Sequence, residues 1–118
     1  MRRKTGELVP LEVSILEASV GLAGHGIPEA HGYQLAKEIR DREGARRLTA
    51  YGTLYKALDR LERVGYLASR WEDPHDAAAD SRPRRRFYRT TAVGEAALAE
   101  SRRRVAEAGS RRPAAVQP

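Results

Sequence analysis

Apolar positions recur at helical spacing from Leu8 onward. Leu8, Leu11, Ile15 and Leu22 mark one stripe, and Val9, Val13, Leu16 and Val20 mark a second. A helix with two apolar stripes needs two packing partners, its own core and a further surface. Pro10 suits the first turn, where its missing N–H costs nothing. The segment GLAGHGIPEAHG, with four glycines and a proline, ends this helix. A second helix is predicted over YQLAKEIRDRE, with Leu35 and Ile39 one turn apart, Tyr33 and Ala36 beside them, and Gly44 as its C-cap. A third runs from Thr49, its expected N-cap, to Gly65, with Leu54, Ala57, Leu58, Leu61 and Val64 on one side.

The pattern then changes. YLASRW and RFYRT read as two strands flanking EDPHDAAADSRPRRR, whose prolines, aspartates and arginines predict an unpacked hairpin loop. Thr91 is placed to cap a last helix, AVGEAALAESRRRVAEAG, whose apolar face is thin: alanines with Val93, Leu98 and Val105. Such a helix is marginal alone and needs something to lean on. The order helix, helix, helix, strand, basic loop, strand, helix predicts a mostly α fold with a β-hairpin, the winged helix-turn-helix. Residues 1–7 form a basic arm, 8–91 the winged-helix domain, 92–109 the C-terminal helix and 110–118 a tail.

The third helix carries the most informative surface. Opposite its apolar side lie Gly52, Lys56, Asp59 and Arg63, with Thr53 and Tyr55 on the flanks. A recognition helix needs such a face: glycine permits close approach to the major groove, tyrosine touches a thymine methyl or a phosphate, and lysine reaches a guanine edge or a phosphate oxygen. The helix N-terminus near Thr49 adds backbone N–H groups for phosphate. Tyr51 falls nearer the apolar side and is expected in the core or between helices. Asp59 and Arg63, one turn apart, read as a surface ion pair.

Composition narrows the classes. The 118 residues are 41% apolar, enough for one domain. With no cysteine there is no disulfide framework, thiolate zinc site or cysteine nucleophile. No apolar run is long enough to span a bilayer and no leader opens the chain, which predicts a soluble cytoplasmic protein without a membrane partner. The formal charge of +6 makes nucleic acid or an anionic membrane surface the first partners to consider.

HGYQLAKEI, GTLYKALDRLERVGYL and RFYRTTAVGEAAL together resemble the PadR family of bacterial winged-helix transcriptional regulators, over about residues 8–98. The middle motif is the specific one. Lys56 stands where that family often has proline, and Thr90 where it usually has leucine. The resemblance implies a homodimeric repressor acting on double-stranded DNA at a two-fold-symmetric promoter site. The third helix becomes the recognition helix and the hairpin from Tyr66 to Tyr88 the wing. The last helix becomes the dimerisation element, packed with the first, which assigns Leu8, Leu11, Ile15, Leu98 and Val105 to the dimer seam.

Within that frame, base contacts are expected from Gly52, Tyr55 and Lys56, and phosphate contacts from Thr49, Thr53, Arg82, Arg84 and Arg85, the arginines lying where a wing meets phosphates or a narrow minor groove. The acidic half of the loop, Glu72, Asp73, His75, Asp76 and Asp80, offers metal-ligand types without fixed geometry and is read as screening the arginines. His25 and His31 are turn or cap residues, and Trp71, which could stack on a planar ligand, is read as packing the hairpin. The chain shows no triad, phosphate loop or paired carboxylates, so no enzyme and no cofactor are predicted. A small-molecule effector bound between subunits accords with the family. The rival reading is a winged helix used as a protein-interaction module.

Overall fold

A computed structural model describes residues 7–44 and 50–111. Thr49 and most of the arm and tail lie outside the described residues. The first helix, α1, spans Pro10–Gly24 with proline in its first turn. The Glu12 carboxylate accepts the Val9 N–H at 3.0 Å and so closes its start. Gly26, at φ 90°, turns the chain out of it, and the Ile27 N–H reaches back to the Leu22 carbonyl at 2.9 Å.

A two-residue strand, β1 (Ala30–His31), precedes α2 (Gly32–Glu43). His31 and Gln34 cap α2 reciprocally: the His31 ring accepts the Gln34 N–H while the Gln34 side chain accepts the His31 N–H. Next come α3 (Tyr51–Arg63), β2 (Leu67–Trp71), α4 (Pro74–Ala79), β3 (Arg86–Thr90) and α5 (Ala92–Arg111). The N-cap of α3 is Ala50, without a side-chain cap bond, rather than the expected Thr49. Gly65, at φ 85°, makes the turn from α3 into β2.

Two elements depart from the expectation. The hairpin acquires a third strand, giving the antiparallel order β1-β3-β2, with Tyr88 opposite Ala30 on one side and Ser69 on the other. The expected unpacked loop folds instead into α4, because the Asp73 carboxylate caps it at 2.7 Å from the His75 N–H, Pro74 starts it and Ala77 is buried beneath it.

The core lies where α1, α2 and α3 meet the sheet: Ile15 and Leu16, Leu35 and Ile39, Leu54, Leu58 and Leu61, closed by Leu67, Tyr88 and Leu98. Buried polar groups inside it are satisfied. Glu12 accepts a 2.9 Å bond from Arg60, which fastens α3 to the start of α1, and Ser19 accepts from Thr90 at 2.8 Å. The Thr91 hydroxyl accepts the Gly94 N–H at 3.0 Å, capping α5, and donates to the Gly65 carbonyl at 2.7 Å. At Gly94 the helix passes so near β2 that a Cβ would meet the Tyr66 carbonyl oxygen at 2.2 Å.

Candidate nucleic-acid interface

The amphipathic pattern of α3 places Leu54, Leu58 and Leu61 inward and leaves Gly52, Thr53, Lys56, Asp59 and Arg63 exposed. Tyr51 does not turn to the core as expected. It is 51% exposed, its ring 6.5 Å from that of Tyr55 one turn on. Tyr55 leans toward the start of α2, so close that a Cβ at Gly32 would lie 2.3 Å from the Tyr55 hydroxyl. The glycine of the HGY segment thus lets the first turns of α2 and α3 sit side by side. Tyr33, expected beside the apolar stripe of α2, faces out.

The wing is organised by one buried carboxylate. Glu72 accepts Arg82 nitrogens at 2.5 and 2.7 Å and the Arg85 backbone N–H at 3.1 Å, while its own carbonyl accepts from Arg84 Nε at 2.9 Å. The Arg82 guanidinium, helped by the Arg85 backbone N–H, holds the Glu72 carboxyl down to about 2. Arg82 is also bonded to Asp80 at 3.2 Å. It is therefore a tie inside the wing, its guanidinium shared between Glu72 and Asp80. Arg84 and Arg85 are exposed at the same place. The Arg85 side chain makes no ion pair among the described residues, though its charge lies near enough to Glu72 to help hold that carboxyl down.

Between the starts of α2 and α3 and the faces of β2 and β3 lies a cleft of about 460 Å³. Tyr33, Tyr55, Trp71, Arg84 and Arg85 are among its lining residues. Trp71 is a hairpin residue, as expected, with the Arg84 and Arg86 guanidiniums over its ring at 5.8 and 5.2 Å from the centroid. His31 also lines the cleft, and its partial burial, with the nearby Arg85 and Arg82 charges, lowers its pKa and favours the neutral ring that caps α2. The wing cations Arg84 and Arg85 and the phenol groups of Tyr33 and Tyr55 thus line one cleft. Sequence reasoning missed Tyr33 and Trp71 as members of this group. The available signal was the two-residue period of β2, which places Trp71 on the same face as Ser69, and Ser69 donates to Glu62 of α3 at 2.6 Å.

On α1 and α5 a second groove, about 430 Å³, is lined by Leu8, Pro10, Val13, Glu17, Arg102 and Val105. Arg102 and Glu17 bridge the two helices at 3.4 Å, and Val105 is 70% exposed. Leu8 and Leu11 are half-buried beside it. Ile15 and Leu98, expected at the dimer seam, are instead 0% and 2% exposed in the protomer's own core.

Among the described residues the acidic wing side chains form no metal-binding cluster, since Glu72 is held by arginine and Asp73 by the α4 backbone. No helix among them is long and apolar enough to cross a membrane. Three helices packed on a sheet whose hairpin projects beside α3 define a winged-helix protein. A transcriptional regulator from Clostridium thermocellum shares this fold at a TM-score of 0.70 and 22% identity, over 91% of this chain and 90% of that one. A PadR family transcriptional regulator from Eggerthella lenta matches at 0.58 and 29%, over 81% and 82%. In sequence, the chain is 43% identical over 79 residues to the transcriptional regulator Rv3488 of Mycobacterium tuberculosis, a match that takes in 67% of this chain and 65% of that protein. Residues 26–100 match the transcriptional regulator PadR-like family, and the chain belongs to that family.

Proposed function

We propose that the protein is a cytoplasmic, homodimeric repressor that binds duplex DNA at an inverted repeat, and that it is a binding protein rather than an enzyme. The observation that supports this reading is that Tyr55 of the exposed α3 face lines one cleft with Arg84 and Arg85 of the wing. Gly52, Thr53, Tyr55 and Lys56 stand exposed, with Arg84 and Arg85 on the neighbouring wing. Lys56, Tyr55 and Gly52 enter the major groove, where base edges carry sequence information, while Thr53, Arg84 and Arg85 hold phosphates and set register. The groove along α1 and α5 supports the dimer: Leu8, Leu11 and Val105 are apolar side chains left without full cover. Two copies paired there present recognition helices to successive major grooves about 34 Å apart.

The test is selection from a pool of random duplexes at about 150 mM salt, a concentration at which nonspecific phosphate contacts are weakened. An enriched inverted repeat is expected. Binding without enrichment, fading steeply as salt rises, would overturn the reading in favour of charge alone and turn attention to a protein partner.

A further inference from the structure

We propose that Glu72, an acid set among the wing arginines, strengthens duplex binding: it is a positioning residue that fixes where Arg84 and Arg85 stand. The consequence for DNA rests on the DNA-binding reading above; the placement of the arginines does not.

Residues 82–86 hold four arginines, and by charge alone a carboxylate beside them repels a polyanion and cancels one cation. Glu72 is nevertheless built into this segment. It is 6% exposed, and both of its carboxylate oxygens accept from Arg82. A buried carboxylate with its oxygens satisfied in this way specifies one local arrangement. Its bonds reach the two exposed arginines as well. The Arg85 N–H donates to the carboxylate at 3.1 Å, and the Glu72 N–H donates to the Arg85 carbonyl at 2.7 Å. That exchange carries the β2–β3 ladder one pair beyond Trp71 and Arg86. Arg84 Nε donates to the Glu72 carbonyl at 2.9 Å.

Each bond acts on a different part of the two cations. Arg85 is held at its N–H and at its carbonyl, on both sides of the Cα from which its exposed side chain leaves. Arg84 is held at Nε, the nitrogen nearest its stem, with its guanidinium 5.8 Å from the Trp71 ring centroid. Arg82 is the counter-ion that keeps the carboxylate in place, and Asp80 shares it at 3.2 Å. Phosphates follow one another at fixed spacing along a duplex, so two guanidiniums contribute to register only where their separation matches it. Removing the Glu72 charge therefore has two opposed effects on duplex affinity. It adds net positive charge to the wing, and it releases Arg84 and Arg85 from their places. The bond pattern makes the second effect the larger.

The test measures duplex affinity of the full chain against salt concentration for Glu72→Gln, which keeps the shape and removes the charge. Charge counting predicts tighter binding and a steeper salt dependence. Positioning predicts binding about tenfold weaker, with the salt slope reduced by about 1–2 as phosphate contacts are lost. Glu72→Asp keeps the charge and shortens the reach, so it should also weaken binding, and it carries the comparison should Glu72→Gln fail to fold. Arg85→Ala should cost little affinity in the Glu72→Gln background, because the contact is already lost there. Equal or tighter binding by Glu72→Gln or Glu72→Asp, weaker binding with an unchanged slope, or an equal cost of Arg85→Ala in both backgrounds would each overturn the proposal. A second arm needs no DNA. In Glu72→Ala the Arg85 amide proton should exchange about tenfold faster at unchanged helix content, and unchanged exchange would overturn the placement. A parent chain that binds no duplex, with that exchange still responding, would refute the DNA reading and leave the placement standing.

Discussion

Substituting alanine for Gly94 separates two physical effects of opposite sign. Helix propensity alone favours the change by up to about 1 kcal/mol. The packing opposes it: the new Cβ would stand 2.2 Å from the Tyr66 carbonyl oxygen and 2.9 Å from Thr90 Cγ2, where carbon and carbonyl oxygen ordinarily meet no closer than about 3.3 Å. The obstacle is backbone and cannot swing aside, so α5 or the start of β2 must retreat by about 1 Å. That retreat strains the Thr91 N–H bond to the Tyr66 carbonyl at 3.0 Å and the Thr91 hydroxyl bond to the Gly65 carbonyl at 2.7 Å. Overpacking costs about 1–3 kcal/mol and each weakened hydrogen bond about 1. After the propensity gain, a net loss of about 2 kcal/mol is expected. For a domain of this size that is a fall in Tm of about 10 °C, measured at fixed protein concentration because the proposed dimerisation would make Tm concentration-dependent. A Gly94→Ala variant as stable as the parent, or more so, would refute the close-approach argument.

Gly52 is the counterpart, since a Cβ there meets nothing within 4 Å. Gly52→Ala is expected to raise folding stability by a few tenths to about 1 kcal/mol in urea titration while lowering affinity for the selected duplex. Lys56→Ala should cost about 1–3 kcal/mol on the preferred duplex and little on random sequence, whereas Arg85→Ala should weaken all duplexes alike and reduce the salt slope by about 1. Val105→Asp would bury an unpaired charge at the proposed seam and is expected to weaken dimerisation by about 100-fold or more in sedimentation equilibrium, with helix content unchanged. Acid unfolding should report Glu72, whose carboxyl is held at about 2 in the fold against an ordinary 4.5. The unfolded chain binds the proton first, so the stability linked to this group is complete above about pH 4.5 and is lost as pH falls through about 2. Glu72→Gln should therefore lose less stability than the parent across that interval.

The helices were legible because their apolar periods are unambiguous, and Thr91 was legible as a cap because its hydroxyl stands just ahead of an alanine-rich run. Strand β1 was not, because Ala30 and His31 are too few to show an alternation and owe their pairing to Tyr88 and Phe87, more than fifty residues on. In α4 the local signals were present, an aspartate cap, a proline and three alanines, but the prolines, aspartates and arginines of the whole segment read as an unpacked loop. What organises it is Glu72, whose burial no pattern announces. Ile15 and Leu98 show the limit of a helical stripe: it tells which side is apolar, not whether the same chain or a second one covers it. The cleft joins residues from five elements and the connection before β3, and only the fold brings Tyr33, Tyr55, Trp71 and Arg85 to one concavity.

The carboxylate knot at the wing tip bears on the entropy of recognition. A hairpin connection from residue 72 to residue 85 left to itself would sample many shapes, and a partner would have to freeze it, at about 1–2 kcal/mol for each backbone residue fixed. Here Asp73, Glu72 and Arg82 settle that conformation during folding. Whatever meets the wing meets a rigid die rather than a supple strap. Its encounters should be fast and sparing in heat-capacity change, and its selectivity should come from rejecting surfaces whose contour does not fit rather than from adapting to those that nearly do.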